Sequence, residues 1–279
     1  MTSPAAPGAA PAAGGMLDGK RLLITGVVTT DSIAFASAAA AIRAGGEIVL
    51  SALGRDRERA EGAAAQLPGT VAVLEADLTE PDHVDALAGA ITERWGGLDG
   101  ALHAVAFAPR AALAGDFLAT EIDAVSRAFH ASTHSYASLA RLVTELAPST
   151  GGAIVGLDFD AGGAWPVYNW MGVCKAGLEA VSRYVARDLG RHRIRSNLVA
   201  AGPIHSRAAG GIPEFERLTS AWDAQAPLRW DPDDSAPVAD AVCFLLSDLG
   251  RMITGEILHV DGGYHAMSAP LRGADEPGP

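Results

Sequence analysis

The chain is short of cysteine, of charge and of aromatic residues, and each shortage narrows what it can be. Its 279 residues include only Cys174 and Cys243, far apart and each inside an apolar segment. That count rules against a disulfide framework and a thiolate metal cluster, so no metal is expected and both thiols read as small buried side chains. Charged residues make up 19% and aromatics 6%, against 49% hydrophobic, which is too little charge for a disordered chain and enough apolar surface for a core. Bases are outnumbered, 21 Lys and Arg against 33 Asp and Glu, for a net charge of −12. Such a field repels phosphate backbones and anionic bilayers, so neither nucleic acid nor a membrane surface is an expected partner. No apolar stretch reaches the roughly twenty residues that span a bilayer. The Ala, Pro and Gly of residues 1–15 lack the basic start and apolar core of a secretory signal, so a cytoplasmic protein is expected.

What is present is an alternation of two textures. Apolar, β-rich runs at 21–26, 47–52, 70–75, 100–106, 152–157, 195–200 and 256–261 are separated by Ala-rich segments of helical period. Seven such strands predict a doubly wound parallel sheet of Rossmann type (α/β), and their near-continuous apolar character suits a sheet covered by helices on both faces. One domain over 16–267 is expected, with disordered tails at 1–15 and 268–279.

The first strand runs into Gly26 and then, through Val28, to Ser32 and a helix. A glycine at such a turn, with backbone N–H groups at the following helix N-terminus, suits a pyrophosphate. The full G-x-G-x-x-G is absent, and Ser32 also reads simply as a helix cap. A doubly wound sheet binds ligands beyond the carboxyl ends of its strands. Asp77 and Leu78 end the third strand, where the carboxylate either meets an adenine amino group or caps a helix. Ala104 ends the fourth with a small side chain, and Ile204 follows the sixth. The second strand ends in Ala52-Leu53-Gly54-Arg55, without the acid that grips the ribose 2′-hydroxyl of NAD. Arg55 suits a 2′-phosphate or plain solvent, which leaves NADPH open beside NADH.

The most informative segment runs from Asp158 through Phe159, Asp160, Trp165, Pro166 and Tyr168 to Lys175. Pro166 suits a helix entry. Seven residues are almost two turns, so Tyr168 and Lys175 share one face about 10 Å apart along the axis. A lysine so placed reaches a ribose while the phenol reaches a developing oxyanion. The plainer alternative is an amphipathic helix with one surface lysine.

With residues 17–26 (LDGKRLLITG), 32–35 (SIAF), 97–100 (GLDG), 168–171 (YNWM) through Lys175, 195–204 (RSNLVAAGPI) and 254–263 (TGEILHVDGG), the chain resembles the enoyl-acyl carrier protein reductases of fatty acid synthesis. Within them it is most similar to the branch containing the mycolic-acid-pathway enzyme. The likeness covers about 16–267. It implies reduction of a trans-2-enoyl thioester by NADH in a homotetramer, with acyl carrier protein or coenzyme A as the thioester handle. By the same likeness Tyr168 hydrogen-bonds the enolate, Lys175 holds the ribose and Phe159 steers the substrate beside the nicotinamide, the alternative for Phe159 being core packing. Gly26, Val28, Ser32, Ile33, Asp77, Leu78, Ala104 and Ile204 would line the cofactor site, with Ser206 near the pyrophosphate. Leu53 and the run Ala104-Val105-Ala106 depart from the branch's aromatic and Ser-Ile-Gly. Residues 206–221 resemble a short substrate lid, which points to short or medium acyl chains, with Trp165 and Trp222 either walling the pocket or simply packed. Two other enzymes remain: a carbonyl or β-ketoacyl reductase, which the Tyr-Lys spacing disfavours, and a pathway-specific reductase of secondary metabolism. A non-catalytic dinucleotide sensor is the reading from another class.

Overall fold

The computed structural model describes residues 14–212 and 214–269; of the tails expected at 1–15 and 268–279, residues 1–13 and 270–279 lie outside them. Seven strands form one sheet: β1 (Arg21–Thr25), β2 (Glu47–Ala52), β3 (Ala72–Glu75), β4 (Gly100–His103), β5 (Gly152–Asp158), β6 (Ile194–Ala201) and β7 (Ile257–Val260). Their order is β3-β2-β1-β4-β5-β6-β7, and every neighbouring pair is parallel. All carboxyl ends therefore share one edge, and the order reverses between β1 and β4, where such sheets open a crevice. The expected single α/β domain is what forms.

Nine α-helices join the strands among the described residues: α1 (Ile33–Arg43), α2 (Arg57–Ala64), α3 (Pro81–Trp95), α4 (Arg110–Leu113), α5 (Ile122–Phe129), α6 (Ser135–Leu146), α7 (Asn169–Leu189), α8 (Phe215–Gln225) and α9 (Ala236–Leu246). On one face, alanines 34, 38, 40 and 41 of α1 pack with Val238, Ala239 and Val242 of α9 against Leu22, Ile24 and Leu50. Small side chains there let helix and sheet backbones approach closely. Across the sheet, Val84, Leu87 and Ile91 of α3, Tyr136 and Leu139 of α6 and Leu178 of α7 cover Leu23, Val49, Ile154 and Leu198. Ends follow local chemistry: Pro81 opens α3, and Gly96 closes it at φ 74°.

The strand bounds shift where a polar group intervenes. β4 stops at His103 rather than at 106, because the Ala104 N–H leaves the ladder for Thr25 Oγ1 (3.0 Å), which itself donates to the Leu102 carbonyl (2.9 Å). That hydroxyl joins the ends of β1 and β4 at the crevice.

One feature lies outside any periodic reading. α5 and α6 are joined without a break by a π-helical turn, His130–His134, an insertion that re-aims side chains. Ser132 Oγ accepts from the Phe107 N–H and donates to its carbonyl (2.9 Å each), and Thr133 Oγ1 donates to the Cys174 carbonyl (2.8 Å). The turn thereby ties the loop after β4 and the middle of α7 to one helix.

Candidate active site

The crevice is built around Gly26. Its φ is +77°, and a Cβ there would lie 2.1 Å from the Ala104 carbonyl oxygen, so both the turn and the contact with β4 require glycine. Beyond it, Ser32 caps α1: its Oγ accepts from the Phe35 N–H (3.1 Å) and donates to the Thr29 carbonyl (2.9 Å). No acidic residue occupies the first turn of α1, so no carboxylate there offsets its positive dipole end at the strand switch. A strand end with no room for a side chain and a helix N-terminus without an acidic residue in its first turn fit a dinucleotide pyrophosphate. Val28 and Ile33 are half-buried beside this turn, while Leu78 and Ile204 are buried at the ends of β3 and β6.

Asp77 is not the cap of α3, which is Glu80. Its Oδ1 instead accepts from the Thr79 N–H (2.9 Å) and Thr79 Oγ1 (2.6 Å), a local turn that fixes the carboxylate at the crevice rim. Ser206 accepts from the Ala209 N–H (3.2 Å), capping a short turn at the start of the segment read as a lid. That segment continues into α8.

The helix carrying the Tyr-Lys pair begins later than Pro166 suggests. α7 starts at Asn169, and Tyr168 is its N-cap residue. Val167 (φ 57°) and Asn169 (φ 34°) both adopt left-handed backbone, so the chain cannot be helical from the proline onward. Strain of this kind, on the order of 1 kcal/mol or more per residue, persists where surrounding contacts over-determine it. Here the Asn169 amide donates to the Gly115 carbonyl (3.2 Å), and the Tyr168 ring packs among Ala112, Leu113, Ala128 and Met171. Tyr168 is thus presented by a pinned turn, with Lys175 on the second turn of α7. Both are buried, at 8% and 6% exposure.

Lys175 Nζ donates to the Leu157 carbonyl (2.7 Å), which fastens α7 to the end of β5. The next residue, Asp158, is 5% exposed, and neither carboxylate oxygen has a hydrogen-bond partner. Burial pushes its carboxyl up to about 7, against the opposing pull of Lys175. Burial likewise lowers Lys175, with Asp158 holding it up. Burial first, and the Asp158 charge next, raise the Tyr168 phenol far above its usual range. Sequence reading gives Asp158 no role, although an acid interrupting an apolar strand end is the signal that marks it.

Phe159 lies between Tyr168 and α8. Its ring centroid is 5.0 Å from that of Tyr168, 5.3 Å from Trp165 and 5.5 Å from Trp222, and Trp222 of α8 stacks on Tyr264 at 3.8 Å. The two tryptophans therefore pack together and border Phe159. The Trp222 Nε1 is buried without a partner. Another buried group, unassigned from sequence, is His103, whose Nε2 lies 2.8 Å from Ser135 Oγ; burial, and then the Lys175 charge, push the imidazole down to about 3. The structure thus gathers Tyr168, Lys175 and Phe159 at one end of the crevice, with Gly26, Ser32 and Ala104 at the strand switch.

The chain is similar to known proteins along most of its length. The family described as Enoyl-(Acyl carrier protein) reductase matches residues 26–265. The enoyl-[acyl-carrier-protein] reductase [NADH] of Mycolicibacterium smegmatis is 42% identical over 264 residues, covering 89% of this chain and 97% of the relative. Its namesake from Mycobacterium avium is 41% identical, with the same two coverages. The corresponding enzyme of Neisseria meningitidis is 39% identical over 262 residues, 93% of this chain and all of the relative. With the match running from the Gly26 turn to the end of the sheet, the chain belongs to the enoyl-acyl carrier protein reductase family.

Proposed function

We propose that this chain reduces the C=C bond of a trans-2-enoyl thioester with NADH, in fatty acid or related acyl-chain biosynthesis. The observation that carries this reading is the burial of Tyr168 and Lys175 together at the carboxyl end of β5, with Phe159 against the phenol. When bound, reduced nicotinamide would supply a hydride to the β-carbon, the double-bond electrons passing to the thioester oxygen and a solvent proton completing the α-carbon. Tyr168 donates a hydrogen bond to the oxygen as charge develops on it. Lys175, with one N–H on the Leu157 carbonyl, would hold the ribose hydroxyls with the others and place positive charge beside the transition state. Gly26, Val28, Ser32, Ile33, Asp77, Leu78, Ala104, Ile204 and Ser206 line the path of the dinucleotide. Phe159, bordered by Trp165 and Trp222, closes the acyl end, which favours short or medium chains.

The thioester sits on acyl carrier protein or coenzyme A, and the location is cytoplasmic. The assembly is a homotetramer: Phe129 of α5 and Val173 of α7 are exposed at 43% and 42%. They flank a hollow of about 480 Å³ with Trp170 and Cys174, an apolar face that a second copy would cover. Among the described residues no helix is long and apolar enough to cross a membrane.

The test is loss of NADH absorbance with crotonyl and octenoyl thioesters. Tyr168→Phe is expected to lower kcat about 100- to 1,000-fold while the dissociation constant for NADH, read by fluorescence titration, stays within about twofold. A protein that binds NADH yet oxidises it with no thioester would sink the enzymatic reading in favour of the sensor. Oxidation with ketones alone would favour the carbonyl reductase.

A further inference from the structure

The second strand ends without the acid that grips an adenosine ribose, yet the fold brings one to the same place from the neighbouring strand. Ala52, the last residue of β2, pairs with Glu75, the last of β3. Both strand ends lie level with the crevice turn: the Gly26 N–H donates to the Ser51 carbonyl (3.2 Å), and the Ala76 N–H donates to that of Ala52 (2.9 Å). Past Ala52 the chain passes through Leu53 into a single 3-10 turn, Gly54–Asp56. The Glu75 side chain lies over that turn. A Cβ on Gly54 would run into Glu75 Oε1 and fall 2.9 Å from its carboxyl carbon, so the bare glycine is what gives the carboxylate its place. The Glu75 side chain keeps 49% of its surface exposed, open to a ligand laid across the strand ends. The basic groups around it are engaged by other acids. Arg57 Nη1 is 3.9 Å from Glu75 Oε2, but its Nε donates to Glu61 (2.9 Å). Arg55, the sequence candidate for a 2′-phosphate, lies 3.6 Å from Asp56 Oδ2, and Asp56 also meets Arg59 (3.2 Å) and Arg207 (3.7 Å).

We propose that Glu75 sets the nucleotide preference of this chain: its carboxylate, held over Gly54, accepts the 2′-hydroxyl of the adenosine ribose and repels the 2′-phosphate of NADPH. A hydroxyl donates to a carboxylate in a charge-assisted hydrogen bond, whereas a phosphate set against the same oxygens is a like-charge contact. Arg57, shared between Glu61 and Glu75, steadies the acid over the turn. The preference for NADH is thereby built on β3, one strand away from where a dinucleotide fold ordinarily carries it.

The assignment of Glu75 rests on the enoyl reductase reading only through dinucleotide binding, so affinities are measured first and turnover second. In fluorescence titrations, wild-type protein should bind NADH about tenfold to a hundredfold more tightly than NADPH, the difference that a charged hydrogen bond makes. Glu75→Gln should bring the two affinities to within about threefold of each other. The double variant Glu75→Gln/Gly54→Asp should regain the preference, because it sets an acid at the end of β2; a merely structural role for Glu75 would give no such rescue. On the wild type, 2′-deoxy-ADP should displace NADH about tenfold less well than ADP, a comparison that decides the matter even if the variants fail to fold. Equal displacement by the two, or a Glu75→Gln protein with the wild-type ratio of affinities, overturns the proposal. If that ratio is unchanged while thioesters are reduced with NADH, Glu75 loses its role and the reductase reading stands. If the ratio shifts as expected but no thioester oxidises either nucleotide, the assignment of Glu75 stands and the reductase reading falls.

Discussion

Lys175→Met is expected to abolish enoyl thioester reduction and to weaken NADH binding by about tenfold to a hundredfold, as isothermal titration would record. On the proposed role the ammonium would supply charge-assisted hydrogen bonds to the ribose, each of the order of 1.5–3 kcal/mol, and the methionine keeps the stem while removing the charge. The same change has a pH signature in stability. Asp158 has its folded midpoint raised from 3.8 to about 7, so its contribution is favourable at low pH and is lost as pH rises through that midpoint. Lys175 is what holds the midpoint down against burial. Without it the carboxyl holds its proton to higher pH, and the folded state loses on the order of 1.4 kcal/mol for each unit the midpoint climbs, in the alkaline range only. Urea unfolding should therefore show the variant's deficit growing from pH 5 to pH 8, and Asp158→Asn in the same background should remove that growth without restoring turnover. A deficit equal at both pH values would mean that the two groups are not coupled.

Gly26→Ala should be the most disruptive single methyl in the crevice. The left-handed φ of +77° costs an L residue roughly 1–2 kcal/mol. The added Cβ would fall 2.1 Å from the Ala104 carbonyl oxygen, a backbone atom that cannot swing aside. Either β1 and β4 separate at their ends, or the turn shifts toward the pyrophosphate path. A loss of about 3 kcal/mol or more is expected, seen as a fall in Tm on the order of 10 °C, together with loss of NADH binding. An alanine variant with wild-type Tm and NADH affinity would show that the turn has another conformation open to it.

The sheet was readable because a parallel strand covered on both faces must be apolar throughout, and residues 47–52 and 152–157 carry that mark. The Gly26 turn and the Ser32 cap were readable for the same local reason: a strand, a glycine and a hydroxyl residue ahead of a helix. Where the reading slipped, distant partners decided. β4 ends early because Thr25 captures the Ala104 N–H, and α7 starts late because two residues beside Tyr168 take left-handed backbone. The π-helical turn was invisible because one extra residue barely alters the apolar period of the 122–146 segment. Asp158 could be seen as an acid at a strand end, but its burial depends on distant elements meeting.

The π-helical turn also separates two demands on one long helix. Its inserted residue lets α5 and α6 choose their rotation about the axis independently. Ahead of the turn, α5 sets Ala124 and Ala128 against the Tyr168 pocket while Ile122 and Phe129 point outward. Beyond it, α6 directs Ser135 to His103 and seats Tyr136 under the sheet. Substitutions can therefore redraw the outer face of α5 without turning the inner half away from His103 and the sheet.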